Sequence, residues 1–210
     1  MSKKAILFDL DGTLWDSTKQ TVISFHRIIK EKNIEFISEE RIKNNFGNNK
    51  EETIKNLFPN LSYQEGEKLL NEIDEDIIKN LNMSCDCIYE GVKEVLEKLH
   101  KDYQLFIITN NSHKTYIEAF LKGGNFSNFF KDYIAASAIP ISKSEAIKKL
   151  MNENEIEKGI YVGDTKKDRD AAKAANVPFI QCLYGFGEDL KEIYKIDNIQ
   201  ELPECIKKIG

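Results

Sequence analysis

The chain has 210 residues, 41% apolar and 31% charged, with a formal net charge of −5. That length suits one domain of ordinary size with a smaller insert, and the composition suits a soluble globular protein with a real core. An acidic balance without any lysine or arginine cluster argues against a nucleic-acid or anionic-membrane surface, and no apolar run approaches the length of a membrane helix.

The first apolar run starts close to Met1 without a long leader-like core, so a cytoplasmic location is expected. Cys85, Cys87, Cys182 and Cys205 form no disulfide framework and lack Cys-x-x-Cys spacing, so reduced thiols are expected. Cys85-Asp86-Cys87 has no second ligand pair to complete a metal site.

Ala5-Ile6-Leu7-Phe8 has the length and composition of a buried parallel strand, and it ends in Asp9-Leu10-Asp11-Gly12-Thr13. Strand ends are where open α/β sheets hold their ligands. Alternation along the strand turns Asp9 and Asp11 to one side, where two negative charges require a cation or a shared proton. The plainer alternative is a turn or helix cap, in which Asp and Gly are common.

Asp16 or Ser17 can cap a helix running to about Lys32, with Val22, Ile23, Phe25, Ile28 and Ile29 as apolar positions. Ser38 caps a short helix through Ile42 and Phe46, which Gly47 should end. Further helices are expected over Glu51–Phe58 and Ser62–Asn82, the second with Leu69, Leu70, Ile73, Ile77, Ile78 and Leu81 at helical spacing. The stretch from Trp15 to Cys87 is thus helical throughout and interrupts an alternating strand–helix pattern.

That pattern resumes with a helix over Gly91–His100 and a strand over Gln104–Thr109. A helix capped by Ser112 and stopped by Gly123-Gly124 follows, then a strand near Tyr133–Ala136 and a helix from Lys143 to about Asn154. Next come a strand over Gly159–Gly163, a helix over Lys167–Ala175, a strand over Pro178–Gln181 and a terminal helix carrying Leu202, Ile206 and Ile209. Strands and helices alternating at this spacing call for a parallel sheet covered on both faces.

Polar residues recur at the expected strand ends. Thr109-Asn110 offers a hydroxyl and free backbone N–H groups for an anionic oxygen. Lys143 opens a helix, where the macrodipole disfavours a cation. Gly163-Asp164-Thr165 leaves a strand and reaches Asp168 one turn later, so Asp164 faces the first pair if the two strands are neighbours. Asp168 can orient a neighbour or a metal's water, while Arg169 and Asp170 face solvent or pair locally; capping is the alternative for both Asp164 and Asp168. Carboxylates suit a hard cation such as Mg²⁺, and hydroxyl, amide and lysine suit phosphate oxygens, which together imply phosphoryl transfer.

These motifs, in this order, resemble the haloacid dehalogenase superfamily, in particular its capped phosphatase branch near the phosphoglycolate phosphatases and β-phosphoglucomutases. Asp9-Leu10-Asp11-Gly12-Thr13 resembles the first motif, Thr109-Asn110 the second, Lys143 the third, and Gly163-Asp164 through Asp168 the fourth. Many relatives have Lys-Pro at the third motif, whereas Lys143 is followed by Ser144. The lysine is retained, so altered local backbone is expected there without loss of charge.

The resemblance implies a Rossmann-like three-layer α/β/α core with a parallel sheet, formed by residues 1–14 and 88–210, and an α-helical cap over 15–87. It implies Asp9 as nucleophile, Asp11 as acid and base, and Thr109, the Asn110 amide and Lys143 on the phosphoryl oxygens. Mg²⁺ would be held by Asp9, the Asp11 backbone carbonyl and Asp164, with Asp168 behind them. Hinges are expected near Trp15–Asp16 and Asp86–Tyr89. The loop Gly47-Asn48-Asn49-Lys50 would select the substrate, a small phosphorylated metabolite, and Arg41, Lys43 and Lys50 hint at an anionic or polyhydroxylated one. Asp11 separates this pattern from dehalogenases and phosphonate-cleaving relatives, and a monomer is the default for the branch.

Three alternatives share some of these features. A phosphomutase would use the same Asp9 and Asp11. A non-catalytic phosphate-binding protein would have no need of a nucleophile and an acid together. Receiver domains place their phosphorylated Asp mid-domain, without a helical insert after the first strand.

Overall fold

The computed structural model describes residues 3–81, 87–111, 113–139 and 141–209. The first apolar run forms β1 (Lys4–Phe8), buried from Ala5 onward. The other strands are β2 (Gln104–Thr109), β3 (Phe130–Ala135), β4 (Lys158–Gly163), β5 (Phe179–Cys182) and β6 (Lys195–Ile196). They pair in parallel in the order β3-β2-β1-β4-β5-β6, with β1 at the centre.

Alternation along β1 divides the core into two layers. Ile6 and Phe8 pack with Val92, Leu96, Ile117, Phe120 and Leu202, which come from α5 (Val92–Leu99), α6 (Lys114–Gly124) and α9 (Leu202–Lys207). Ala5 and Leu7 pack on the opposite face with Ala146, Ile147, Leu150 and Ala172 of α7 (Lys143–Glu153) and α8 (Lys166–Ala175). The sheet therefore lies between two helical layers, the α/β/α arrangement expected from the alternating pattern.

Between β1 and α5 the chain forms α1 (Thr18–Glu31), α2 (Glu39–Lys43), α3 (Lys50–Leu57) and α4 (Tyr63–Leu81). Their apolar faces close on one another, with the Phe25 and Phe58 rings stacked 6.4 Å apart and Ile54 of α3 set against Gly66 of α4. The outgoing and returning connections run side by side. Asp16 N donates to Cys87 O at 2.6 Å, and Tyr89 N donates to Leu14 O at 3.2 Å.

Several elements depart from expectation for identifiable reasons. α2 stops at Lys43, and the chain reaches Gly47 through turns, with φ +75° there. α6 runs through Gly123 and Gly124 and is ended by Asn125 in the left-handed region, φ 56°. β3 starts at Phe130, and β6 has only two residues, too short for periodicity to reveal. Cys182 and Cys205 are free thiols. The Ser112 cap, the Asn82 helix end, the Asp86 hinge and the Cys85-Asp86 pair lie outside the described residues. No helix among the described residues is long and apolar enough to cross a membrane.

Gly124 stays inside α6 because space, not a helix stop, requires it: a Cβ there would lie 2.1 Å from the Phe126 ring. An exposed helical Gly→Ala ordinarily gains about 0.5–1 kcal/mol. Gly124→Ala should instead lose about 1–3 kcal/mol, the scale of overpacking. Urea denaturation measures the sign directly.

Candidate active site

Strand order reverses between β1 and β4, and the crevice above such a reversal is where open α/β sheets bind ligands. Asp9 leaves β1 there, its N–H donating to Val162 O at 2.8 Å, and Asp164 leaves β4 beside it. Thr109 closes β2, Lys143 opens α7, and Asp168 occupies the first turn of α8. All five side chains are buried.

Lys143 is the hub. Its Nζ lies 2.9 Å from Asp9 Oδ1 and 2.7 Å from Asp168 Oδ1. The cost of a cation at a helix start is offset by these two carboxylates, and Ser142 with Glu145 caps the helix independently. Burial opposes the charge on Lys143, but Asp168 and Asp9 together hold its pKa well above the usual lysine value. Ser144 follows within the regular first turn of α7, its hydroxyl 3.0 Å from that of Ser142.

Asp168 has both oxygens committed. Oδ1 accepts from Lys143, and Oδ2 accepts from Thr165 N at 3.0 Å and Thr165 Oγ1 at 2.5 Å. It is therefore a capping residue and an orienting one at once. Asp164 differs: Oδ2 accepts from Phe186 N at 2.7 Å, while Oδ1 is buried without a hydrogen-bond partner among the described residues.

The carboxylates of Asp9, Asp164 and Asp168 each offer an oxygen within 4.8 Å of the others. Three buried carboxylates thus face one ammonium. Burial and then Asp168 push Asp9 well above the usual carboxylate range, against the opposing pull of Lys143. Burial and then Asp168 push Asp164 up to about 7. An orphaned carboxylate oxygen in an oxygen-only, negatively charged cluster fits a hard divalent cation, with Asp9 and Asp164 supplying the uncommitted oxygens.

Asp11 corrects the expectation that it and Asp9 converge. β1 ends at Phe8, so strand alternation does not extend to position 11. The chain instead curls around Leu10, whose carbonyl accepts from the N–H groups of Thr13, Leu14 and Trp15, and Gly12 takes φ +76°. The Asp11 carboxyl consequently meets donors: Oδ1 accepts from Trp15 Nε1 at 3.1 Å, Ser17 Oγ at 2.7 Å and Tyr116 OH at 2.6 Å. Burial raises its pKa, and the hydrogen bonds from Ser17, Tyr116 and Trp15 oppose that rise. Ser17 sits at the N-cap of α1 but spends its hydroxyl on Asp11, and Asp16 Oδ1 takes the Thr18 N–H instead.

Asp9, Asp11, Thr109, Asn110 and Lys143 line one cavity of about 130 Å³. Its opposite wall comes from the inserted helices, where Phe25, Leu70 and Ile77 are apolar and Lys50 and Asp74 are charged. Gly47, Asn48 and Lys50 line the cavity, whereas Asn49 turns away to cap α3, accepting from Glu52 N at 2.9 Å. Lys50 Nζ reaches Asn71 Oδ1 at 2.9 Å and Glu67 at 3.6 Å. Arg41 and Lys43 face outward, on the Asn56 carbonyl and Glu39. The Asn110 side chain donates across to Gly47 O at 3.0 Å, which leaves its backbone amide as the group beside Thr109.

Sequence reasoning missed Tyr116, which falls unnamed within the helix expected after Ser112, and the turn from Leu183 to Gly187. That turn supplies the Phe186 N–H to Asp164, and it is packed so closely that a Cβ on Gly185 would lie 2.3 Å from Asp164 Cβ. Its signal is present as Gly185-Phe186-Gly187 directly after a strand, a pattern that marks close backbone approach.

The sequence profile described as haloacid dehalogenase-like hydrolase matches residues 6–182. The chain belongs to that family. It is 29% identical to a phosphoglycolate phosphatase of Colwellia psychrerythraea, covering 98% of each chain. It is 27% identical to a phosphoglycolate phosphatase of Vibrio parahaemolyticus, covering 97% of this chain and 96% of that one. A haloacid dehalogenase-like family hydrolase from Streptococcus pneumoniae superimposes with a TM-score of 0.83 at 23% identity, covering 97% of this chain and 98% of that one, which establishes the shared fold.

The haloacid dehalogenase-like cluster makes stability depend on pH and cation together. Asp164 is raised from 3.8 to about 7 in the fold, so its stabilising contribution is complete below 3.8 and is lost as pH rises through about 7. Without a divalent cation, Tm should fall from about pH 5 to about pH 8. If this cluster holds Mg²⁺, the ion at a hundredfold excess over Kd would add about 2.7 kcal/mol. Each kcal/mol is worth roughly 2–4 °C at this size. The gain should be larger at the higher pH, where the ligands are deprotonated, and absent in Asp164→Asn. Thermal melting with and without Mg²⁺ checks both; an undiminished gain in Asp164→Asn would place the cation elsewhere.

Proposed function

We propose that this chain is a Mg²⁺-dependent phosphatase that hydrolyses a small phosphomonoester through a phosphoaspartyl intermediate. The observation that carries the reading is Asp9, fixed by Lys143 beside the partnerless oxygen of Asp164, with Asp11 on the wall of the same cavity. Asp9 and Asp164, with the Asp11 backbone carbonyl, would hold Mg²⁺, which screens the nucleophile from the phosphate it approaches.

Asp9 attacks phosphorus as the bond to the substrate's alcohol oxygen breaks. Asp11 gives its proton to that departing oxygen, then takes one from the water that attacks the phosphoaspartate, so inorganic phosphate leaves and Asp9 is regenerated. Lys143, the Thr109 hydroxyl and the Asn110 amide receive the phosphoryl oxygens as their charge redistributes. Thr109 Oγ1 already accepts from Asn111 N at 3.2 Å, which leaves its own proton to donate.

Residues 15–87 serve as a cap that closes the cavity against water, with the paired connections at Trp15–Asp16 and Cys87–Tyr89 as the hinge. Lys50 is the cavity's charged donor on the cap side, and the names of the relatives make 2-phosphoglycolate the first ester to assay. A soluble cytoplasmic monomer suits a metabolite substrate of this size.

Asp9→Asn removes the nucleophile and keeps the side chain's shape, while Lys143 retains Asp168. The variant should fold with an unchanged circular dichroism spectrum and lose at least about 10⁴-fold in kcat, the scale of nucleophile removal in other covalent enzymes. Inorganic phosphate release from a panel of phosphomonoesters with Mg²⁺ measures it. Substantial residual turnover would sink the nucleophile assignment, and recovery of an isomeric sugar phosphate in place of inorganic phosphate would mark a phosphomutase.

A further inference from the structure

Tyr116 has no part in the motifs of the family, yet it makes one of the shortest polar contacts in the site. Its hydroxyl lies 2.6 Å from Asp11 Oδ1 and 2.8 Å from Ser17 Oγ, and both Tyr116 and Ser17 are almost wholly buried. Burying a phenol and a hydroxyl here is affordable only because they satisfy each other and the carboxylate. A phenol carries one proton, so it serves one acceptor at a time, and the shorter contact is to Asp11. Ser17 Oγ donates to the same oxygen at 2.7 Å and Trp15 Nε1 at 3.1 Å.

Three donors therefore converge on Oδ1, and no described residue donates to Oδ2. A carboxyl's terminal torsion is broad and roughly two-fold, so an isolated Asp11 would exchange its oxygens freely. Resting on the phosphatase reading, we propose that Tyr116 is a positioning residue that, with Ser17 and Trp15, locks the Asp11 carboxyl so that Oδ2 alone exchanges the proton with the leaving oxygen. As the bond between phosphorus and the alcohol oxygen breaks, the proton on Oδ2 passes to that oxygen, and Asp11 is left as a carboxylate held through Oδ1. The clamp spans two parts of the chain: Trp15 and Ser17 lie on the connection into the inserted helices, while Tyr116 lies on α6 of the core. The Trp15 and Tyr116 rings also meet edge to face, with centroids 5.1 Å apart, which fixes both donors.

The test compares leaving groups. kcat/KM reports the steps through alcohol release, and an alkyl alcohol needs a proton from Asp11 far more than p-nitrophenol does. Tyr116→Phe should lower kcat/KM for an alkyl phosphomonoester by about 10- to 100-fold, part of the factor a positioned acid supplies, and change that for p-nitrophenyl phosphate by less than about threefold. Ser17→Ala should show the same selectivity to a smaller degree. Equal losses on both esters would reduce Tyr116 to a packing role, and no loss on the alkyl ester would overturn the proposal.

A second readout needs no turnover. Trp15 is the chain's single tryptophan, so its indole N–H gives one resonance in a ¹H–¹⁵N spectrum. Asp11→Asn and Tyr116→Phe should each shift it, whereas an indole resonance that ignores Asp11→Asn would remove the clamp. A wild type inactive on both esters with Mg²⁺ overturns the phosphatase reading, and the indole resonance still decides the clamp.

Discussion

The ammonium of Lys143, seated between Asp9 and Asp168, is the contact on which the catalytic end of the sheet depends. It joins β1, α7 and α8, three elements that otherwise meet only through apolar packing. Deleting one partner of a buried ion pair costs about 3–5 kcal/mol, because the remaining charge is stranded. Here the loss would be worse than for an isolated pair, since removing Lys143 leaves Asp9, Asp164 and Asp168 facing one another. The lysine itself is aimed by Asp168, and Asp168 is aimed by the cap it makes with Thr165. Helix capping, an ordinary local interaction, thus fixes the position of Asp9 two contacts away.

The same economy governs the seat of the inserted helices. Their contacts with the core include the Phe46 and Phe186 rings 4.9 Å apart, Asn110 on the Gly47 carbonyl, and Lys167 on Asn48 and Glu52. Phe186 belongs to the turn that donates to Asp164, and Asn110 follows Thr109, so the seat touches the site's own backbone. Lys167 with Asn48 and Glu52 is exposed, and exposed pairs contribute little. The inserted helices also meet the core where His113 Nε2 lies 3.4 Å from Asp74 Oδ2, and their apolar residues share one cluster with those of the core.

Much of this was legible in the chain because each feature has a local cause. Apolar runs of strand length gave the parallel strands, and residues at their ends, Asp9, Thr109, Asp164 and Lys143, gave the cluster, since a sheet of this order gathers its strand ends by construction. What escaped depends on the path of the chain between elements. Strand alternation predicted a converging Asp9 and Asp11, but the turn around Leu10 rotates the second carboxyl towards Trp15 and Ser17, and no period describes that turn. Gly123-Gly124 read as a helix stop because backbone freedom is glycine's commonest use, whereas Gly124 is needed for lack of space beside Phe126. Tyr116 was invisible for a related reason. Its ring obeys the helical apolar spacing, and only the three-dimensional arrangement brings its hydroxyl to a residue 105 positions earlier.

That rotation gives the two aspartates different chemistry. Burial raises the pKa of Asp9, as it does that of Asp11, but Asp9 also sits in a field of full charges, where Asp168 and Asp164 raise it further and Lys143 lowers it. Burial raises the pKa of Asp11, and mainly neutral donors, Ser17, Tyr116 and Trp15, moderate the rise, with a smaller pull from the Lys143 charge. On the proposed reading, a divalent cation held by Asp9 and Asp164 would strip the first carboxyl of its proton, as a nucleophile requires. The second is tuned by dipoles that a cation does not displace, and can keep its proton for the leaving group. On the proposed reading, two carboxylates one residue apart in sequence would thus take opposite protonation states in environments that the turn at Leu10 separates, the condition under which one acts as nucleophile and the other as acid.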